Sequence, residues 1–242
     1  SRRGAASACR RELEEAGRDW FRRLEEGDPE ALRMWKWVTE ISKGELGIIY
    51  KELGVEFEYM IGESALIGMT EDILKVLEDK GLATPGNGGK SLVVEFGEKL
   101  PTALLRKKDG TSLYLTRDIA TLLTRQAWFK PVKIIYPVGA EQTLHFRQLF
   151  EIYKRLSGGV DIQLVHIPLG TVKIDGGKMS TRKGNIIELQ RLIDVATEIA
   201  KEKLQENIKA GKSSVSNQEF EKIARQVAVG TAVYLDLKGS RT

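Results

Sequence analysis

The chain is poor in the residues that staple or metallate a small protein. It has one cysteine among 242 residues, Cys9, so no intrachain disulfide can form, and a reducing compartment is expected. Its only histidines are His145 and His166, and no cysteine or histidine cluster has ligand spacing, so no protein-held metal is expected. No stretch of 18 or more apolar residues occurs, which excludes a membrane-spanning helix. No charged-then-apolar leader opens the sequence, and the expected location is cytoplasmic. Internal repeats and low-complexity tracts are also missing. The formal charge of +4 and pI near 9.0 permit contact with nucleic acid without requiring it.

What is present is the patterning of an α/β protein. Residues 9–26 place Leu13, Ala16, Trp20 and Leu24 at helical steps, and Gly27 ends that helix. Asp28 then offers an N-cap and Pro29 a first helical residue, for a helix to about Leu53 with Leu32, Trp35, Val38 and Ile41 toward the core. "VEFEY" (55–59) alternates like a half-buried strand, and residues 70–81 read as a helix capped by Thr70 and stopped by Gly81. "TPGNGGKS" (84–91) nearly matches a phosphate loop. Thr84 replaces its first glycine, however, and it follows a helix instead of a strand, so it reads as a turn. Residues 102–115 suggest a hairpin closed at Asp109–Gly110, followed by a helix to Phe129. "VKIIYPV" (132–138) and "IQLVHIPL" (162–169) are apolar runs expected of strands buried on both faces, with a helix between them. Two further helices are predicted, one over residues 187–210 and one from Glu219, joined by the polar linker 211–217.

Ligands of open α/β sheets bind at the carboxyl ends of the strands. Two loops leave such ends here: Gly139–Ala140–Glu141–Gln142, and the segment after Leu169. The second is basic, with four cations against one acid between Lys173 and Lys183, and glycines bracket its centre. It reads either as a basic surface turn or as a flap that closes on a polyphosphate and stabilises charge as pyrophosphate leaves. Tyr114 and Asp118 lie four residues apart at the start of a helix. An acid there is ordinary, because it complements the helix dipole, yet a carboxylate also meets a planar guanidinium with two parallel hydrogen bonds.

Five segments in order carry a resemblance: "GDPEALRMW" (27–35), "LYLTRD" (113–118), "VGAEQTLHFRQLF" (138–150), "KMSTRKGN" (178–185) and "AVGTAVYLDL" (228–237). The set resembles the arginyl-tRNA synthetases, class I enzymes whose KMSKS loop the fourth segment is similar to, with Thr181 and Arg182 departing from that pattern. The fold implied is the second half of a Rossmann-like nucleotide-binding fold, with an α+β insertion and a helical C-terminal segment. In domain terms, residues 1–130 would be a helical segment and insertion leading into the catalytic fold. Residues 131–187 would be the Rossmann-like second half with the KMSKS-type loop, and 188–242 the start of the C-terminal helical domain.

The resemblance implies ATP-dependent formation of arginyl-adenylate and transfer of arginine to tRNA. ATP is then a substrate that carries its own Mg²⁺, and the partners are arginine, ATP and tRNA. It places the arginine pocket at Tyr114, Asp118 and Gln142. It places ATP against Gly139, Glu141, Gly170, Val172, Lys178, Met179 and Ser180. Lys178 contacts the phosphates, and Arg182 or Lys183 supplies the second loop cation. His145, one helical turn after Glu141, either lines the ATP pocket or is a packed first-turn histidine. The family's H-x-G-H motif is not among the 242 residues. A central catalytic fragment, inactive alone and prone to self-association although the whole enzyme is a monomer, is therefore expected. The alternative is a non-catalytic descendant that keeps tRNA or nucleotide binding.

Overall fold

A computed structural model of the chain describes residues 2–86, 88–158, 162–170, 173–174, 177–178 and 188–238. The contacts divide it into two compact units, one of residues 1–58 and 188–233, the other of residues 59–187 and 234–242.

The first unit is helical. Helices α1 (Arg2–Glu25) and α2 (Pro29–Leu53) form a hairpin. Its turn is set as the sequence predicts: Asp28 accepts hydrogen bonds from the N–H groups of Glu30 and Ala31, and Pro29 follows. Arg23 bridges to Asp28 and Glu30, and those hydrogen bonds hold the Asp28 carboxyl below its ordinary range, the Ala31 N–H contributing most. Gly54 closes α2 in the left-handed conformation. The expected core face of α2 is largely exposed, with Val38 and Ile41 each at 50 %, because among the described residues no layer of this unit covers it. Helices α6 (Leu189–Lys209) and α7 (Asn217–Lys238) bury Ile193, Thr197, Ala224 and Ala228. Arg225 joins three helices, pairing with Glu52 of α2 and with Asp194 (2.6 Å) of α6.

The second unit carries the main core. A 3-10 run (Glu63–Met69) passes directly into α3 (Thr70–Asp79). The chain is thus already turning when the helix begins, Thr70 is buried inside it, and the expected Thr70 cap does not form. Strands β1 (Thr84–Pro85), β2 (Leu92–Val94) and β3 (Ala103–Arg106) make an antiparallel sheet, so β1 leads to another strand and not to the helix that a phosphate loop would open. Residues 55–59 form no strand. In the helical unit Phe57 instead packs edge-on against Tyr50, since among the described residues no neighbouring backbone offers a ladder. Helix α4 (Tyr114–Phe129) follows, then β4 (Lys133–Gly139), a 3-10 turn (Ala140–Gln142), α5 (Thr143–Leu156) and β5 (Gln163–Leu169).

Strands β4 and β5 run parallel in continuous register from Lys133 opposite Gln163 to Gly139 opposite Leu169. This is the β-α-β unit read from the sequence. The two strands are not buried on both faces, however: Ile135 of β4 is 50 % exposed, and Val132, just before β4, is 86 % exposed. Among the described residues each strand pairs only with the other, and α5 supplies Phe146 and Phe150 against Tyr136 of the sheet. The core itself lies where α3, α4 and α5 meet the small sheet, around Leu77, Leu105, Leu122 and Leu149, all fully buried.

Candidate active site

The site grows from the carboxyl ends of β4 and β5. Because Gly139 stands opposite Leu169, the loop after β4 and the loop after β5 start side by side. The β4 loop is tight. Thr143 donates its hydroxyl to the Ala140 carbonyl (2.6 Å), and Gln142 becomes the exposed residue preceding α5. Glu141 folds back over Gly139, and a Cβ there would meet its carboxylate at 2.5–2.6 Å. The backbone at Gly139 (φ −50°, ψ 142°) is open to any residue, so the glycine is needed for that close approach and not for conformation.

Helix α4 brings the second group of residues. Its start is anchored by one carbonyl: Leu105 of β3 accepts from the Leu113 N–H (3.0 Å) and from the buried Thr116 hydroxyl (2.8 Å). That anchor fixes Tyr114 at the exposed head of α4 and Asp118 one turn further on the same face. The Arg117 guanidinium lies 5.7 Å from the Tyr114 ring centre. Asp118, 40 % exposed, meets His145 on the first turn of α5, with Nε2 at 2.6 Å from Oδ2. An ionised carboxylate can only accept, so Nε2 carries the proton and donates. A cavity of about 140 Å³ opens beside this carboxylate, lined also by Ile61, Gly62, Thr121, Thr124, Arg125 and Trp128. Arg125 further reaches over the Tyr136 ring, at 5.7 Å from its centre. Burial pushes the Tyr136 phenol up, and the Arg125 guanidinium opposes that shift.

The residues expected from the sequence therefore divide into two sets. Gly139, Glu141, Gln142, Asp118 and His145 are gathered by the β4 end and the facing first turns of α4 and α5, with Tyr114 exposed at the head of α4 and Gly170 exposed just beyond β5. For Lys178 the backbone is described: β7 (Gly177–Lys178) pairs antiparallel with β6 (Lys173–Ile174), Lys178 opposite Lys173. Val172, Met179, Ser180, Arg182 and Lys183 lie outside the described residues. Thr116 and Arg125 were not among the expected residues. Arg125 carried a legible signal, two helical turns from Asp118 on one face, whereas the Leu105 anchor for Thr116 leaves no trace in local sequence.

Arranged like this, the cluster offers an anionic acceptor with a preset orientation near the loop that leaves β4. The larger concavity, about 610 Å³ between α6 and α7, lies in the helical unit. Of its charges, Lys201 pairs with Glu198 and Glu221, and Arg225 with Asp194.

Comparison with known proteins decides the family. A family model described as tRNA synthetases class I (R), catalytic domain, matches residues 7–242. The chain belongs to the arginyl-tRNA synthetase family. It is 40 % identical over 231 residues to arginine–tRNA ligase 1 of Bacillus cereus, covering 95 % of this chain and 40 % of that protein. It is 39 % identical over 230 residues to the arginine–tRNA ligase of Lactobacillus acidophilus, with the same coverage. Among solved structures it is similar to the arginyl-tRNA synthetase of Plasmodium falciparum. That likeness has a TM-score of 0.79 and 25 % identity, over 96 % of this chain and 38 % of that one. The arginyl-tRNA synthetase of Thermus thermophilus shares the fold with a TM-score of 0.57 at 19 % identity, over 89 % of this chain and 44 % of that one. The chain thus spans about two fifths of the length of the curated relatives it matches, and its fold is that of a class I synthetase catalytic domain. No described helix is long and apolar enough to cross a membrane.

Proposed function

We propose that these residues form the arginine-binding and part of the ATP-binding surface of an arginine–tRNA ligase, acting in the cytoplasm. Arginine enters with its guanidinium on Asp118, beside Tyr114 and Gln142. A bidentate pair of charge-assisted hydrogen bonds suits that planar cation, and a lysine could not reproduce it. ATP, carrying Mg²⁺, lies against Gly139, Glu141, Gly170 and Val172, with its phosphates toward Lys178, Met179 and Ser180 and either Arg182 or Lys183. In that pose the loop cations stabilise charge as pyrophosphate leaves, and tRNA accepts the arginine. The 242 residues contain no H-x-G-H pair, so the proposal is binding of arginine and ATP by them, and not adenylate formation by them alone.

The observation that carries this reading is Asp118: a half-exposed carboxylate held by His145 close to the start of α5, where Gln142 and the β4 loop meet. The test is Asp118→Asn. Calorimetry should find arginine affinity reduced about a hundredfold, the scale of a lost charge-assisted pair, and ATP affinity unchanged. Unchanged arginine affinity removes Asp118 from the role. We also propose that the 242-residue chain self-associates through its sheet.

A further inference from the structure

His145 stands at the end of a chain of fixed groups. On β5, His166 places Nε2 at 3.1 Å from the Val138 carbonyl of β4, and its ring stacks on Phe146 (4.6 Å between centres, 22° between planes). Phe146, buried, meets the His145 ring edge-on at 5.4 Å and 90°. His145 then donates to Asp118 Oδ2. The imidazole is thus oriented by the sheet, and it occupies one acceptor position of a carboxylate that has about four. The bond from His145 leaves Oδ1 unengaged, and Oδ2 keeps a second lone pair, so by count the carboxylate can still accept from a guanidinium.

We propose that His145 is a positioning residue for the guanidinium-binding carboxylate, and that a proton on His145 competes with arginine for Asp118. This rests on reading Asp118 as the guanidinium acceptor. Neutral His145 fixes the carboxylate and leaves its charge for the ligand, so less side-chain freedom is lost on binding. Doubly protonated His145 is itself a cation on Asp118, and an arriving guanidinium then meets a neutralised partner and a like charge. Arginine affinity therefore rises with pH as His145 loses its proton, and binding at acidic pH expels that proton, the two effects being linked.

The other charged or titratable groups on the neighbouring turns of these elements are Arg117 and Arg125 on α4, Tyr136 on β4, His166 on β5, Glu141 ahead of α5 and Arg147 on α5, which lines a separate concavity with Lys99 and Glu151. Arginine and tyrosine do not change charge between about pH 5 and 8, and an ordinary glutamate is ionised throughout most of that range. His166 is the other histidine of the chain, so it needs its own control.

The experiment is calorimetry of L-arginine binding to the 242-residue chain from about pH 5.5 to 8.5, in buffers of different ionisation heat so that proton release is counted. Wild type should bind about tenfold more weakly at the acidic end, with proton release there. His166→Gln removes the ring stacked on Phe146, so arginine should bind more weakly at every pH while the pH dependence stays that of wild type. His145→Gln keeps a permanently neutral donor, so it should retain the affinity seen at high pH, with a flat profile and no proton release. His145→Ala should bind about tenfold more weakly at high pH. Circular dichroism establishes that each variant is folded, and if His145→Ala is not, the His145→Gln profile decides. A wild-type pH profile in His145→Gln, or wild-type affinity in folded His145→Ala, overturns the proposal. Loss of binding in Asp118→Asn alongside unaffected His145 variants overturns the positioning role alone. Unchanged binding in Asp118→Asn, or no arginine binding by the wild-type chain, overturns the site reading with it.

Discussion

At the scale of single residues, Gly139 shows how a missing side chain can be functional. Its φ and ψ suit alanine, yet the Glu141 carboxylate occupies the space a methyl group would take. Glu141 is exposed and its side chain can swing away, so Gly139→Ala should leave the unfolding midpoint nearly unchanged. If Glu141 faces the ribose of ATP, the same substitution should weaken ATP binding about tenfold, the worth of one hydrogen bond to a charged acceptor. Calorimetry with ATP checks this, and an unaltered affinity would take Glu141 out of the nucleotide site. Residues like these were legible as letters: Tyr114, Asp118, Gln142 and Glu141 could be picked from ordered motifs. What they touch was not. Asp118 and His145 are 27 positions apart on different helices, and nothing local announces that α4 and α5 present their first turns to each other.

The elements themselves followed local chemistry where that chemistry was self-sufficient. The Asp28–Pro29 start of α2 contains its own cap, and it forms as read. Thr70 failed because the preceding 3-10 run removed the extended entry that a cap requires, and "VEFEY" failed because alternation without a partner strand gains nothing. Helix α4 is the instructive case. Leu113, which precedes it, has no side chain that can cap, and the start is instead anchored by the Leu105 carbonyl of β3, which accepts from the Leu113 N–H and the Thr116 hydroxyl. Thr116→Val keeps the volume and removes the hydroxyl, leaving the Leu113 N–H on that carbonyl. The expected loss of stability is about 1 kcal/mol, read from urea unfolding. Since Tyr114 and Asp118 ride on this turn, arginine affinity should fall as well, with ATP binding spared. A variant that loses stability but binds arginine normally would show that the turn keeps its place without the hydroxyl.

For the molecule as a whole, the two units differ in how they are held. The helical unit relies on charge, with Arg225 tying α2, α6 and α7, whereas the site-bearing unit has a continuous apolar core from α3 to β5. Length and alternating elements made the α/β class and the β4–α5–β5 unit legible, but no local pattern said that, among the described residues, these two strands would pair only with each other. Their apolar runs suggested burial on both faces, because a parallel strand that is covered and one that is open are written in the same residues. An uncovered parallel pair exposes hydrogen-bonding edges and apolar side chains together, here Val132, Ile135 and Leu169. A second copy of the chain can satisfy both at once by adding its own strands. Light scattering on the 242-residue chain should therefore give a mass that grows with concentration at tens of micromolar, roughly where exposed edges begin to associate. Ile135→Lys should suppress that growth, because a charge on the exposed face would have to be buried in the contact. A single monomeric mass across the range, or growth unaffected by Ile135→Lys, would mean that this sheet is not the contact, and attention would pass to the exposed apolar face of α2.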